Sequence, residues 1–177
     1  MTDFPSLQTQ RLEMRQIQST DLENIFKGLS NPLVIKHYGV SYSTLEATQE
    51  QMAWYQNLYN TNTGIWWAIC AKLDGTFYGA AGFNDIHPQH KKAEIGFWLL
   101  PEYWNNGIMQ EALTKICHYG FEHMKLHRIE GFVESENSNS KKALEKMDFL
   151  HEGTLRACEW KNGKWIDVDI YAKINQL

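Results

Sequence analysis

No apolar run in this chain approaches the roughly 18 residues needed to span a bilayer, so no membrane segment is expected. Met1 to Arg15 lacks a basic stretch followed by an apolar core, so no signal peptide is read there and a cytoplasmic location is expected. Cysteine is scarce. Cys70, Cys117 and Cys158 are odd in number and widely spaced, which suits buried free thiols in a reducing compartment and excludes a disulfide framework. There is no excess of positive charge. The net charge of −4 argues against nucleic acid as a partner and leaves room for a cationic one. No linker, repeat or low-complexity segment divides the sequence, so a single domain over residues 1–177 is expected. Aromatic residues are plentiful, with seven Trp, eight Tyr and eight Phe, and most are expected in the core or a pocket wall.

Periodicity and punctuation give a mixed α/β order. Thr9 to Ile17 reads as a strand with Leu12, Met14 and Ile17 inward. Ser19 or Thr20 caps a helix to about Leu29, ended by Asn31-Pro32, and Thr44 caps a second to about Tyr59. Ile65–Ala71 and Phe77–Asp85 pair around the Asp74-Gly75 turn, and residues 93–100 form a strand apolar on nearly both faces. A helix from about Gly107 to Met124 buries Met109, Ala112, Leu113, Ile116, Cys117, Gly120 and Met124. A strand at 127–133 follows, then a short helix capped by Ser140, then a hairpin turning at Asn162-Gly163 with a type I′ signature.

The stretch Trp104-Asn105-Asn106-Gly107-Ile108-Met109-Gln110 opens the long helix. A helix start leaves about four backbone N–H groups unpaired at its positive end, and a phosphate is the natural guest. Gly107 lets a ligand approach closely. Alone, the same glycine is an ordinary way to begin a helix.

A carboxylate is singled out by hairpin register. With Asn162-Gly163 as the loop, Lys161 faces Lys164, Trp160 faces Trp165 and Glu159 faces Ile166. Alternation places Leu155, Ala157 and Glu159 with Ile166, Val168 and Ile170, so Glu159 is expected on an otherwise apolar face with a raised pKa suited to a general base. The other reading leaves it solvated near the hairpin tip. Glu94, on the buried strand, is the runner-up base, or else pairs with a basic neighbour. His87-x-x-His90 is broken by Pro88 and followed by Lys91-Lys92, so no metal is expected. Trp54, Tyr55, Trp66 and Trp67 are core or the lining of an acceptor groove. Trp160 and Trp165 suggest a homodimer contact.

Several blocks together resemble the GNAT acetyltransferase superfamily, and within it the RimJ/RimL branch. They are Ala93-Glu94-Ile95-Gly96-Phe97-Trp98-Leu99, Tyr103-Trp104 through Glu111-Ala112-Leu113, Asn137-Ser138-Asn139-Ser140 through Asp148-Phe149, and Glu152-Gly153. Trp104 and Met109 occupy the first and last positions of the family's Gln/Arg-x-x-Gly-x-Gly/Ala pattern. Asn105 and Asp148 stand where the branch usually has glycine; both are turn positions, and Asn and Asp tolerate left-handed backbone. The resemblance implies a GNAT-type fold, α+β, with a mostly antiparallel sheet of about seven strands and about four helices, splayed between the strands at 93–100 and 127–133. It implies acetyl-CoA as cosubstrate. Its pyrophosphate would lie on Asn105, Asn106, Gly107, Ile108, Met109 and Gln110, and its pantetheine arm beside Trp98 and Leu99 and near Asn137. It implies Glu159 as catalytic base and Ser140 as donor to the leaving thiolate. The expected acceptor is the N-terminal amine of a protein such as a ribosomal protein. The alternatives are a small amine (polyamine, amino acid or aminoglycoside), or a non-catalytic acyl-CoA binding module.

Overall fold

The computed structural model describes residues 4–175. Eight strands form one sheet: β1 (Leu7–Gln8), β2 (Leu12–Gln16), β3 (Ile65–Ala71), β4 (Phe77–His87), β5 (Lys92–Leu99), β6 (Arg128–Glu134), β7 (Leu150–Lys161) and β8 (Lys164–Ile174). Their order across the sheet is β1-β2-β3-β4-β5-β6-β8-β7, and every neighbouring pair is antiparallel except β5 and β6. The expected first strand, Thr9 to Ile17, is β2, shortened at its start because the chain reverses after Gln8; β1 precedes it as an additional short strand, Leu7 pairing with Met14. Five α-helices accompany the sheet: α1 (Leu22–Leu29), α2 (Pro32–Ile35), α3 (Leu45–Asn60), α4 (Ile108–Glu122) and α5 (Ser138–Glu145). The helix absent from the sequence reading is α2. Ser30 caps the end of α1 and Asn31 starts α2, its side chain accepting from the Leu33 N–H while Pro32 takes the first helical position.

Each face of the sheet has its own core. On one, α4 and α5 bury Leu113, Ile116 and Leu144 against Ile95, Ile129 and Tyr171. On the other, α1 and α3 bury Ile25, Leu29, Tyr55 and Leu58 against Trp66, Ala68 and Trp98. β5 feeds both, with Ala93, Ile95 and Leu99 on the first and Trp98 on the second, as its nearly continuous apolar run predicts. Trp67 belongs to the α4 side, fully buried with its Nε1–H donating to Pro5 O at 2.7 Å. It is therefore core, whereas Trp54, Tyr55 and Trp66 cluster together on the α3 side.

The hairpin register falls as the turn chemistry requires. Lys161 pairs with Lys164, Trp160 with Trp165 and Glu159 with Ile166, around Asn162 (φ 49°) and Gly163 (φ 79°). Beyond it the alternation breaks. Four residue steps from Leu155 to Glu159 match two from Val168 to Ile166, and Ala157 bulges out at φ 49° with its N–H on Asp167 Oδ1. β7 is the sheet edge and is exposed along nearly its whole length, which leaves Cys158 exposed where a buried thiol was expected. Trp160 and Trp165 are also exposed, their rings 5.2 Å apart.

Candidate active site

The parallel pairing of β5 with β6 lasts only from Lys92–Arg128 to Glu94–Glu130. Past that point β6 continues on β8 to Glu134 and β5 continues on β4 to Leu99, so a fork opens between them. Its β5 side presents backbone groups without a strand partner, and an extended amide-bearing chain can complete them.

The loop leading into α4 faces this fork. Trp104 is fixed by its Nε1–H donating to Leu99 O at 2.9 Å. Asn105 then takes φ 62° and Gly107 φ 72°, and Gly107 serves as N-cap with no side-chain cap bond. Among the described residues, the backbone N–H groups of Asn105 to Gln110 donate to no protein acceptor; the ladder begins with Glu111 N–H on Gly107 O. Six unpaired donors at the positive end of a 15-residue helix form an anion cradle. Arg11 braces it from the turn between β1 and β2, donating through Nη1 to Asn106 O and through Nε to Glu111. Asp148 takes φ 61°, so both residues standing in for glycine adopt the left-handed backbone.

At the start of α5 the roles differ from the expected ones. Asn137, not Ser140, is the N-cap. Its Oδ1 accepts from the Ser140 N–H at 3.2 Å, and its Nδ2 donates to Ser140 Oγ at 2.9 Å. Because the Ser140 oxygen is already an acceptor, its own O–H remains available to donate outward. The segment is anchored by Asp169, a buried carboxylate that accepts from Ser135 Oγ and Thr154 Oγ1 and pairs with Lys141 Nζ at 2.8 Å. Burial opposes its charge, but Lys141 and the two hydroxyls outweigh that and hold its pKa well below the usual carboxylate range.

The two candidate bases separate clearly. Glu159 lies on the exposed edge strand, so the burial on which its expected activation rested is missing. Lys161, on the same side of that strand, reaches the backbone oxygens of Lys36 and Tyr38 and the carboxylate of Glu134, which also accepts from His37. This clasp draws the segment carrying Tyr38 toward the hairpin. Glu94 is the last β5 residue before the fork. Burial, then the nearby charge of Asp85, push its pKa up to about 7, against a smaller opposing hydrogen bond from Asn84. Lys92 is committed to Glu130 at 2.9 Å, and among the described residues Glu94 forms no ion pair. The expected alternative of a structural pairing for Glu94 is therefore not what the structure has. Tyr38 and Tyr55 lie on the same side, the charge of Glu94 contributing to the raised pKa of Tyr38 after burial and Tyr55. Tyr38, Asn84 and the Glu134–Lys161–His37 clasp were not legible beforehand, since each comes from a different element. The nearest sequence signal was the acidic residue in a strand otherwise apolar on both faces. His87 and His90 sit around the exposed β4–β5 turn, and among the described residues no group of three metal-ligating side chains forms.

The family profile described as acetyltransferase (GNAT) domain matches residues 11–150. The uncharacterized N-acetyltransferase YoaA of Bacillus subtilis (strain 168) is 36% identical over 170 residues, covering 96% of each chain. Among solved structures, RimL, the ribosomal L7/L12 alpha-N-protein acetyltransferase in complex with coenzyme A, superposes with a TM-score of 0.87 at 22% identity, covering 96% of this chain and 98% of that one. The spermidine N-acetyltransferase of Vibrio cholerae, in complex with CoA and spermine, superposes at 0.83 with 21% identity, covering 94% and 96%. With a forked sheet, an unpaired cradle of N–H groups at α4 and a family match over most of its length, the chain belongs to the GNAT family of acetyl-CoA-dependent N-acetyltransferases.

Proposed function

We propose that the protein acetylates the N-terminal α-amine of a protein, such as a ribosomal protein, in the cytoplasm, by direct attack of the amine on acetyl-CoA in a ternary complex. The observation that carries the reading is Glu94, a half-buried carboxyl at the fork, without an ion pair among the described residues and with its pKa raised to about 7. An incoming ammonium must lose a proton before it can attack, and a carboxyl of that pKa accepts one at neutral pH. An α-amine, at about 7.7–8.0, needs less help than a lysine at about 10.4. Glu94 therefore takes the role of base, and Glu159 stands as the alternative, acting from the acceptor entrance.

The cofactor follows the same geometry. Its pyrophosphate rests on the N–H groups of Asn105, Asn106, Gly107, Ile108, Met109 and Gln110. Its pantetheine amides pair with the free side of β5 at Trp98 and Leu99, near Asn137. Ser140, with its hydroxyl proton unspent inside the protein, donates to the departing thiolate. RimL, named for the L7/L12 α-amine, favours a protein acceptor, whereas the spermidine enzyme keeps a small amine as the second reading.

The test is free-CoA release from a panel of N-terminal peptides and small amines, with wild type and the Glu94→Gln, Glu159→Gln and Ser140→Ala variants. Glu94→Gln is expected to lower kcat/KM by about a hundredfold or more while acetyl-CoA still binds, and the wild-type rate should rise with pH through about 7. Full activity in Glu94→Gln with loss in Glu159→Gln would move the base to the hairpin.

A further inference from the structure

The acceptor side of the sheet holds one polar atom that the fold leaves unspent. Trp66, on β3, is 4% exposed, and its Nε1 is buried with no hydrogen-bond partner among the described residues. The contrast with its neighbours is sharp: the indoles of Trp67, Trp98 and Trp104 donate to Pro5 O, Tyr55 Oη and Leu99 O. Burying an indole N–H without an acceptor is costly, and such orphans call for an explanation.

The ring is deliberately accommodated. Trp66, Gly82 and Gly96 are successive cross-strand partners on β3, β4 and β5. A Cβ on Gly82 would stand 2.7 Å from Trp66 Cγ, and one on Gly96 2.6 Å from Cζ2. The indole therefore lies flat over two strands kept bare by glycine. Nε1 is joined to Cζ2 through a single ring carbon, so it follows directly on the Cζ2–Cη2 edge that meets Gly96. Asn84 Oδ1 is in the same place, 3.6 Å from that Cβ position, and Asn84 is the cross-strand partner of Glu94. Glu94 is two residues before Gly96 on the same face, a separation of about 7 Å along a strand. The Glu94 carboxyl and the orphan N–H therefore belong to neighbouring positions on one face of the sheet, as an amine and the carbonyl oxygen next to it would require. Trp54 and Tyr55 wall the ring at centroid distances of 5.7 and 5.4 Å, and Trp54, 38% exposed, is the wall that borders solvent.

We propose that the Trp66 Nε1–H reads the carbonyl oxygen adjacent to the reacting amine, so that the site takes α-amino amides, the chemistry of a peptide N-terminus, and turns away polyamines. A polyamine at neutral pH carries ammonium donors and no acceptor, and would leave the indole N–H unpaired. This rests on the acetylation of an amine at Glu94 and names its substrate class.

The experiment compares three substrates in CoA release: a short N-terminal peptide, its depsipeptide with an ester at the first linkage, and its alkene isostere at that linkage. The ester keeps the carbonyl and drops the N–H; the alkene drops both and keeps the planar shape. Wild type is expected to use amide and ester within about threefold and the alkene about tenfold to a hundredfold less well in kcat/KM. In Trp66→Phe the preference of amide and ester over alkene should be lost, with acetyl-CoA binding retained. Equal wild-type use of amide and alkene overturns the proposal and leaves peptide acetylation intact; this arm decides even where the variant fails to fold. Discrimination that persists in Trp66→Phe also overturns it. Turnover of spermidine without turnover of any peptide would sink the protein-acceptor reading itself, and no turnover of any amine would sink the assignment at Glu94.

Discussion

Replacing Glu94 with Gln is expected to inactivate the protein and, above neutral pH, to stabilise it. The folded carboxyl has a pKa of about 7 against an ordinary value of 4.5, raised by burial and by Asp85. The folded state therefore binds more protons than the unfolded chain between those values, and wild-type stability is present below about 4.5 and lost as pH rises through about 7. The full gap corresponds to a ceiling of about 3 kcal/mol. Glu94 is partly open to solvent, which discounts this to about 1–2 kcal/mol. Glutamine does not titrate, so its curve lacks this slope. Urea unfolding of both proteins at pH 5 and pH 8 measures it: the stability of Glu94→Gln relative to wild type should rise by about 1–2 kcal/mol between the two. Parallel pH dependences for the two proteins would refute the burial argument, and with it the tuning of this carboxyl as a base.

Gly107→Ala places a Cβ on a left-handed backbone; the nearest atom would be Arg11 Nη2 at 3.5 Å, so the cost of about 1–2 kcal/mol is conformational. The KM for acetyl-CoA should rise about tenfold with kcat at saturation nearly unchanged, as initial rates at varied acetyl-CoA will show. Asn137→Ala removes the α5 cap and the donor to Ser140, for about 1 kcal/mol and a lowering of the thermal midpoint by about 2–4 °C, read by circular dichroism. Asp169→Asn removes the charge paired with Lys141 and should cost about 3 kcal/mol at pH 7. The Asp169 pKa is depressed on folding, so its stabilisation is present above the unfolded value near 3.8 and is lost as pH falls below it. Denaturant titrations at pH 7 and pH 3 should accordingly show the gap to wild type shrink at the lower pH.

Local chemistry carried far in this chain. The Asn162-Gly163 pair fixes the hairpin register because both residues accept the positive φ that a type I′ turn demands, so Glu159 opposite Ile166 could be read directly. The same tolerance let Asn105 and Asp148 replace glycine without losing the turn. Apolar spacing of 3.6 residues marked α4, and a strand apolar on both faces marked β5 as central. The cap of α5 was misplaced by three residues, because Asn137 and Ser140 are both good caps and only the backbone decides between them.

What the sequence alone determined is the sequence of elements, the anion-binding loop and the local register, since these follow from neighbours a few residues apart. Which carboxylate is shielded from solvent was decided by tertiary structure. Alternation says that two residues share a face, but not whether anything covers it: a bulge and an edge position leave Glu159 in solvent, while β4, β6 and the Tyr38 segment enclose Glu94. The orphan donor of Trp66 is likewise a tertiary fact, because it depends on two glycines from other strands meeting one indole.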